Sequence, residues 1–449
     1  MHAYPHSHVF YRKLRRAYPL IVRGEGCYLH DEAGRSYLDA CGGAFVANIG
    51  HGVRAIGEAM ARQAAAVGYV NGTTFTHEPV EALAAALAAR APAALELVYF
   101  LASGSEAVEA ALKLARQYWV ERGRPAKHTV LALAPSYHGN TLLALSASAR
   151  EHYRTLYRDW LVPVPRVPAP YPYRCACHSV GEPCDVCSGN ALAAAIRHEG
   201  AETIAAFIAE PVGGSSTGAS VPPADYWRRV RELCDRHEIL FIADEVLTGA
   251  GRTGTWLALE QYGVVPDLVT MGKGITGGYA PLSALLAPRR IVDVIAAGSG
   301  AFQHAQTFSH HAVSCAAGLA TLEQIDRQDL VTRCARIAPA FHAALATLAE
   351  LPHVGDVRGR GLLAGIELVE DRETRAPFPR ALHVAEAVAD AALDLGLVVW
   401  PNVGQADGTN GDLLLLAPPF IVGPTEIELM VTRLRAALER TIVPLLAAR

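Results

Sequence analysis

An open α/β fold with a mainly parallel sheet is predicted by three observations on the 449-residue sequence. Short apolar runs alternate with helical patterns from about residue 95 to 290, the order that builds strand–helix–strand units. Polar residues follow these runs, at the strand carboxyl ends where open α/β sheets bind ligands. After about 325 the pattern changes to helical segments around short strands, which predicts a second, smaller α+β domain completed by the N-terminal hairpin. The expected division is 1–50 for the N-terminal part of the small domain, 51–325 for the large domain, and 326–449 for the rest of the small domain. A cysteine-rich insertion, 163–190, interrupts the large domain.

Composition narrows the function. Hydrophobic residues make up 51% of the chain and the formal net charge is −4, so there is no basic footprint for nucleic acid. No apolar run reaches about 18 residues, so no membrane-spanning helix is expected. The N-terminus carries His2, His6, His8, Arg12, Lys13, Arg15 and Arg16 and lacks a signal peptide's apolar segment, which predicts a cytoplasmic protein. Of nine cysteines, Cys27, Cys41, Cys234, Cys315 and Cys334 are scattered and read as buried small apolar residues.

In chain order, Gly26 to Asp39 alternates apolar residues around a turn at Asp31 to Gly34, a β-hairpin pattern. Gly42 to Gly52 is glycine-rich and aperiodic, a loop in which Phe45 either faces a ligand or packs. From Val53 to Ala91 the pattern is helical, interrupted by a loop at Asn71 to His77 that contains Phe75. Leu97 to Leu101 reads as a strand. The next stretch, Ser103 to Arg116, places Ala107, Ala110, Ala111, Leu114 and Ala115 on one helical face, with Ser103 and Glu106 fitting a capping box. A helix N-terminus after a strand is a natural anion site, to which the Ser105 hydroxyl adds a donor; it is equally a plain cap.

Val130 to Ala134 is another strand, ending in Tyr137-His138-Gly139, where an aromatic can stack on a planar ligand. Ile204 to Ala209 runs into Glu210-Pro211, and Ile239 to Ala243 into Asp244. An acid directly after a buried strand needs a partner: a cap, an arginine or a protonated ring nitrogen. Leu268 to Met271 is a strand that delivers Lys273 into a turn with glycines at 272, 274, 277 and 278. Lys273 is one of four lysines in the chain. Desolvation there would lower its pKa and make it a nucleophile able to form a Schiff base; the alternative is a solvated lysine in a glycine loop. Anion cup, stacking aromatic, buried acid and lysine together fit pyridoxal phosphate.

On these motifs the chain resembles the class III (subgroup II) aminotransferases of pyridoxal-phosphate fold type I. The motifs Ser103-Gly-Ser-Glu-Ala-Val-Glu-Ala-Ala, Tyr137-His-Gly, Glu210-Pro, Asp244-Glu-Val, Gly272-Lys-Gly and Pro418-Pro419 stand in family order, and the likeness runs from about Gly26 to Pro424. The resemblance implies that Lys273 bonds the cofactor aldehyde and moves the proton, and that Asp244 pairs with the pyridine nitrogen. It implies that Val246 and Tyr137 cover the two ring faces, that His138 shapes the loop, and that Gly104 and Ser105 bind the phosphate. Glu210 lies near the cofactor in such proteins. Thr307 would reach the phosphate of a neighbouring subunit and the Asn71 to Phe75 loop would close over that neighbour's site, so a homodimer or larger assembly with shared active sites is implied. The implied partners are a small amine or amino acid and a keto acid or aldehyde acceptor. Racemases, aminomutases, decarboxylases and carbon–carbon bond-forming enzymes share the scaffold, and cofactor motifs do not separate them from aminotransferases.

Two departures bear on substrate. Family members that use glutamate commonly carry an arginine three residues before the paired prolines, and here that position is Leu415. The glutamate that often holds this arginine is Ser215, so binding of 2-oxoglutarate in the usual way is not expected. Phe45, Phe75 and Leu415 are the candidate substrate contacts. In the insertion, Cys175, Cys177, Cys184 and Cys187 have Cys-x-Cys and Cys-x-x-Cys spacings that fit a structural zinc or a loop of free thiols.

Overall fold

The computed structural model describes residues 2–175 and 184–447. At its centre is a seven-stranded sheet. From one edge to the other the strands are Leu97–Leu101, Ser283–Ala287, Leu268–Met271, Leu240–Asp244, Ile204–Ala209, Thr129–Ala134 and Arg166–Pro168. Only Ser283–Ala287 runs against its neighbours; the other pairings are parallel. The fold is the α/β arrangement with a mainly parallel sheet that the alternating pattern predicts.

The four strands from Ser283–Ala287 to Ile204–Ala209 in that order are buried at every position. Helices cover both faces of a parallel sheet, so its strands read as continuous apolar runs. On one face Trp227, Phe241 and Phe207 stack in sequence, with ring centroids 5.7 and 6.0 Å apart. On the other lies the helix Gly104–Glu121, whose Ala107, Ala110, Ala111 and Ala115 are fully buried. Small side chains on that face let the helix axis approach the sheet closely, which fixes the position of its N-terminus.

Both ends of the chain build two further sheets. The hairpin strands Tyr28–Asp31 and Ser36–Asp39 pair antiparallel, and Ser36–Asp39 pairs in parallel with Leu397–Val398. Asp31 sets the hairpin turn, its Oδ1 accepting the N–H groups of Ala33 and Arg35 at 3.0 and 2.9 Å. The second sheet runs Val354–Arg360, Leu363–Leu368, Asp412–Leu416, Trp400–Val403. Between its first two strands Gly361 turns the chain at φ +62°, where a Cβ would lie 2.4 Å from the Arg252 carbonyl. The helices Ala312–Arg327 and Leu330–Ala346 are separated at Asp329, which has φ +48°, close to the change of pattern expected at about 325. Among the described residues no helix is long and apolar enough to cross a membrane.

Candidate active site

A cavity of about 710 Å³ opens at the carboxyl ends of the central strands. Its lining includes Gly104, Ser105, Tyr137, His138, Glu210, Asp244, Val246 and Lys273, which come from five different strand ends or the turns that follow them. Phe45 and Trp400 close it from the chain's terminal segments, their rings 5.4 Å apart.

Lys273 follows the buried strand Leu268–Met271 through Gly272 and takes a left-handed φ of +46°. That conformation is costly for a side-chain-bearing residue and recurs at functional sites. Burial pushes the Lys273 amine down to about 8, against the opposing charges of Asp244 and Glu210, which favour the ammonium. Its Nζ lies 5.4 Å from the centre of the Phe45 ring. Of the two readings of Lys273, the structure matches the desolvated lysine and not the solvated one.

Asp244 ends the strand Leu240–Asp244 and is buried. Its Oδ1 accepts from the Val246 N–H at 3.1 Å and the Thr270 hydroxyl at 3.2 Å, and its Oδ2 lies 2.7 Å from His138 Nδ1. These contacts fix the carboxylate's direction while it lines the cavity. Glu245, the next residue, points elsewhere: it accepts from the Thr248 hydroxyl and the Leu259 N–H, and burial lifts its carboxyl to about 7. Adjacent acids thus take separate environments.

Glu210 holds the loop that carries Tyr137. Its Oε2 accepts the Tyr137 N–H and the Ser216 hydroxyl, both at 3.0 Å, and its Oε1 accepts the Gly214 N–H at 3.0 Å. Burial raises its pKa above the usual carboxylate value. A cup lined by the helix N-terminus forms where this loop meets the helix Gly104–Glu121. Ser103 caps the helix by accepting the Glu106 N–H, and the Glu106 carboxylate accepts from Ala102 N–H and the Ser103 hydroxyl. Gly104 and Ser105 occupy the first turn, where helical N–H groups have no intrahelical acceptor. Ser105 Oγ accepts the Asn140 N–H at 3.0 Å and meets Asn140 Oδ1 at 2.9 Å. Gly139 passes so close, at φ +141°, that a Cβ there would lie 2.6 Å from Ser105 Oγ. A Cβ at Gly104 would lie 2.7 Å from Val246 Cγ1.

This donor set fits pyridoxal phosphate. Lysine amine, carboxylate, ring-covering Val246 and Tyr137, and a glycine-lined helix N-terminus share one cavity. Each can meet one part of the cofactor: aldehyde, ring nitrogen, ring faces and phosphate.

Other expected positions lie apart from this cavity. Thr307 is exposed, Phe75 is 64% exposed beside a separate cleft with His77 and His310, and Leu415 is fully buried in the Asp412–Leu416 strand. Of the cysteine cluster, Cys175, Cys184 and Cys187 come together with all three Sγ atoms within 4.8 Å; Cys177 lies outside the described residues. Sequence reasoning missed Asn140, Ser215 as a contact, and a group at the cavity mouth: Arg12, Arg150, Tyr153, Tyr157 and Trp160. Asn140 directly follows the Tyr137-His138-Gly139 turn and was within reach of that argument. The mouth residues carry no periodicity or motif that marks them.

A family model described as "Aminotransferase class-III" matches residues 11–438. An uncharacterized aminotransferase of Bacillus subtilis is 37% identical over 427 residues, covering 95% of this chain and 96% of that one. A putrescine–pyruvate aminotransferase of Pseudomonas aeruginosa is 34% identical over 433 residues, covering 95% and 92%. Among solved structures, an amine transaminase from an uncultivated Pseudomonas species in its PLP-bound form is 37% identical, with TM-score 0.87 over 98% of this chain and 97% of that one. An (S)-enantioselective omega-transaminase from Thermomicrobium roseum is 33% identical, with TM-score 0.89 over 97% of each chain.

Proposed function

The chain belongs to the class III aminotransferase family, and on that premise we propose how its own residues divide the work of moving an amino group from an amine or amino acid to a carbonyl acceptor. The bound cofactor supplies an electron sink for the charge left when the substrate's C–H bond breaks. Lys273 would hold the cofactor through its Nζ, and its amine would be the base that moves the substrate's proton. A pKa near 8 suits that duty, because the neutral and charged forms are both accessible near neutral pH. Asp244, oriented by Thr270, Val246 and His138, keeps the ring nitrogen protonated. Val246 and Tyr137 hold the ring plane; Gly104, Ser105 and the Asn140 loop hold the phosphate; Glu210 fixes the Tyr137 loop.

The observation that carries this reading is a desolvated lysine and an oriented carboxylate in one cavity. The relatives and solved structures named above are aminotransferases, which weighs against a racemase or decarboxylase on the same scaffold. Purified holoenzyme should show a visible cofactor band that borohydride fixes onto Lys273 and that an amine donor bleaches. Substrate consumption with a band that never converts would refute transamination.

With Leu415 sealed inside a sheet, the usual arginine switch has no counterpart at that position. A second copy of the chain completes the site in this reading. Thr307 is exposed, and Tyr69, Phe75 and Phe308 are 49%, 64% and 55% exposed, so a partner would cover both the threonine and these rings. The Cys175, Cys184 and Cys187 thiols are proposed to hold zinc, which prefers four-coordinate sulfur sites and would staple the insertion. Metal analysis tests this: zinc well below one per chain would refute it.

A further inference from the structure

Several partly buried arginines of this protein pair with acids. Arg358 pairs with Asp356 and Glu367 at 2.8 and 2.7 Å, Arg174 with Glu367 at 2.6 Å, and Arg231 with Asp267 at 2.8 Å. Arg252 has no acid, but its Nη1 donates to the carbonyls of Leu362 and Pro418, which join two parts of the chain. Arg150 shares with Arg252 the lack of an ion pair among the described residues but, unlike it, sits at the cavity. It is 7% exposed, lines the cofactor cavity, and forms no ion pair among the described residues.

Its partners are neutral. Nη1 donates to the Ser215 hydroxyl at 3.0 Å, Nη2 lies 3.3 Å from His152 Nε2, and the guanidinium sits 4.8 Å from the centre of the Tyr153 ring. His152 is held to the neutral state, since burial and the charges of Arg150, Arg12 and Arg380 push it down to about 4. Arg12 donates to the Tyr153 hydroxyl at 3.1 Å and adds a second positive charge. Two cations therefore meet one ring, Arg12 at 5.4 Å and Arg150 at 4.8 Å from its centre, and Glu210 acts on Arg150 through space without forming an ion pair with it. A buried guanidinium without an anionic partner is costly, and a fork of N–H donors in a desolvated cavity suits a carboxylate.

We propose that Arg150 is the substrate-carboxylate anchor, so that the acceptor is a small 2-oxo acid whose carboxylate pairs with its guanidinium beside Ser215. This rests on the aminotransferase reading and names the substrate class of that same site. Ser215 is part of the anchor, because a hydroxyl at 3.0 Å orients the fork without neutralising it.

The test is a single-turnover comparison of acceptors on holoenzyme first converted to its aminated form. Pyruvate carries the carboxylate and butanal does not. Wild type should prefer pyruvate, and Arg150→Met should lower the ratio of kcat/KM values, pyruvate over butanal, by about 100-fold, the scale of removing one partner of a buried charge pair. Arg150→Lys should recover part of that ratio, mainly in KM. Ser215→Glu covers the case in which Arg150→Met does not fold: it leaves Arg150 in place but supplies an internal carboxylate, and the same ratio should collapse. Equal losses for both acceptors in Arg150→Met, an unchanged ratio in Ser215→Glu, or a wild type that turns over butanal but no 2-oxo acid would each overturn the anchor while leaving transamination intact. Failure of wild type to transfer an amino group to either acceptor would instead overturn the aminotransferase reading.

Discussion

The Lys273 amine gives the most direct quantitative prediction. With its midpoint lowered from 10.5 to about 8, half of the amine is neutral at pH 8. An amine titrating at the ordinary lysine value would be neutral in only about one molecule in 300 at that pH, so Lys273 should be about 150-fold more nucleophilic there on this ground alone. The sign follows from charge: burial disfavours the ammonium, so the reactive form is present above about pH 8 and lost below it. Cofactor-free protein labelled with trinitrobenzenesulfonate across pH 6 to 11 (the range sampled), followed by peptide mapping, reads this out. Only four lysines compete, and the exposed Lys13 and Lys113 serve as internal references. Labelling at Lys273 should inflect near pH 8. Asp244→Asn should move the inflection lower still, because the Asp244 charge holds the amine up against burial. A Lys273 inflection at or above pH 10, or an upward move in Asp244→Asn, would refute the burial argument.

Asp244→Asn should also cost about 10²- to 10⁴-fold in kcat with the cofactor still retained, as expected when an oriented charge is replaced by a neutral amide; steady-state kinetics with quantified cofactor check it. Gly139→Ala pushes a methyl group against Ser105 at a φ of +141°, so a loss of about 1–3 kcal/mol in denaturant stability and weaker cofactor retention are expected, measured by unfolding and by equilibrium dialysis. Arg252→Met leaves the Leu362 and Pro418 carbonyls without their donor and should destabilise the protein by about 2–4 kcal/mol, read from chemical unfolding with the cofactor content matched.

The strands that carry the chemistry were legible because each is a short, mainly apolar run that ends in, or runs into, a polar residue. Ile204–Ala209 into Glu210 and Leu240–Asp244 show that pattern in the structure. The cup was legible for a local reason too, since Ser103 and Glu106 are three residues apart and cap their own helix. What escaped was long-range. Arg150 and Ser215 are brought together across 65 residues, and nothing local distinguishes Arg150 from the chain's other arginines. Leu415 illustrates the converse. Its position in the motif made it a substrate candidate, but strand alternation does not say which side of a sheet a cavity lies on, and both sides of this strand are buried.

The parallel pairing of Leu38 with Leu397 has a consequence for how the protein is made. A ribosome adds roughly 5–20 residues per second, so the N-terminal hairpin waits for tens of seconds before the strand that completes its sheet exists. During that interval Tyr37, Leu38 and Ala40, which end at 2%, 0% and 0% exposure, have no final neighbour on that edge. The central sheet, by contrast, is complete once Ala287 has emerged. Synthesis therefore delivers the cofactor platform first and the segment bearing Phe45 last in its final place, so the cavity takes its wall only when the chain is nearly finished.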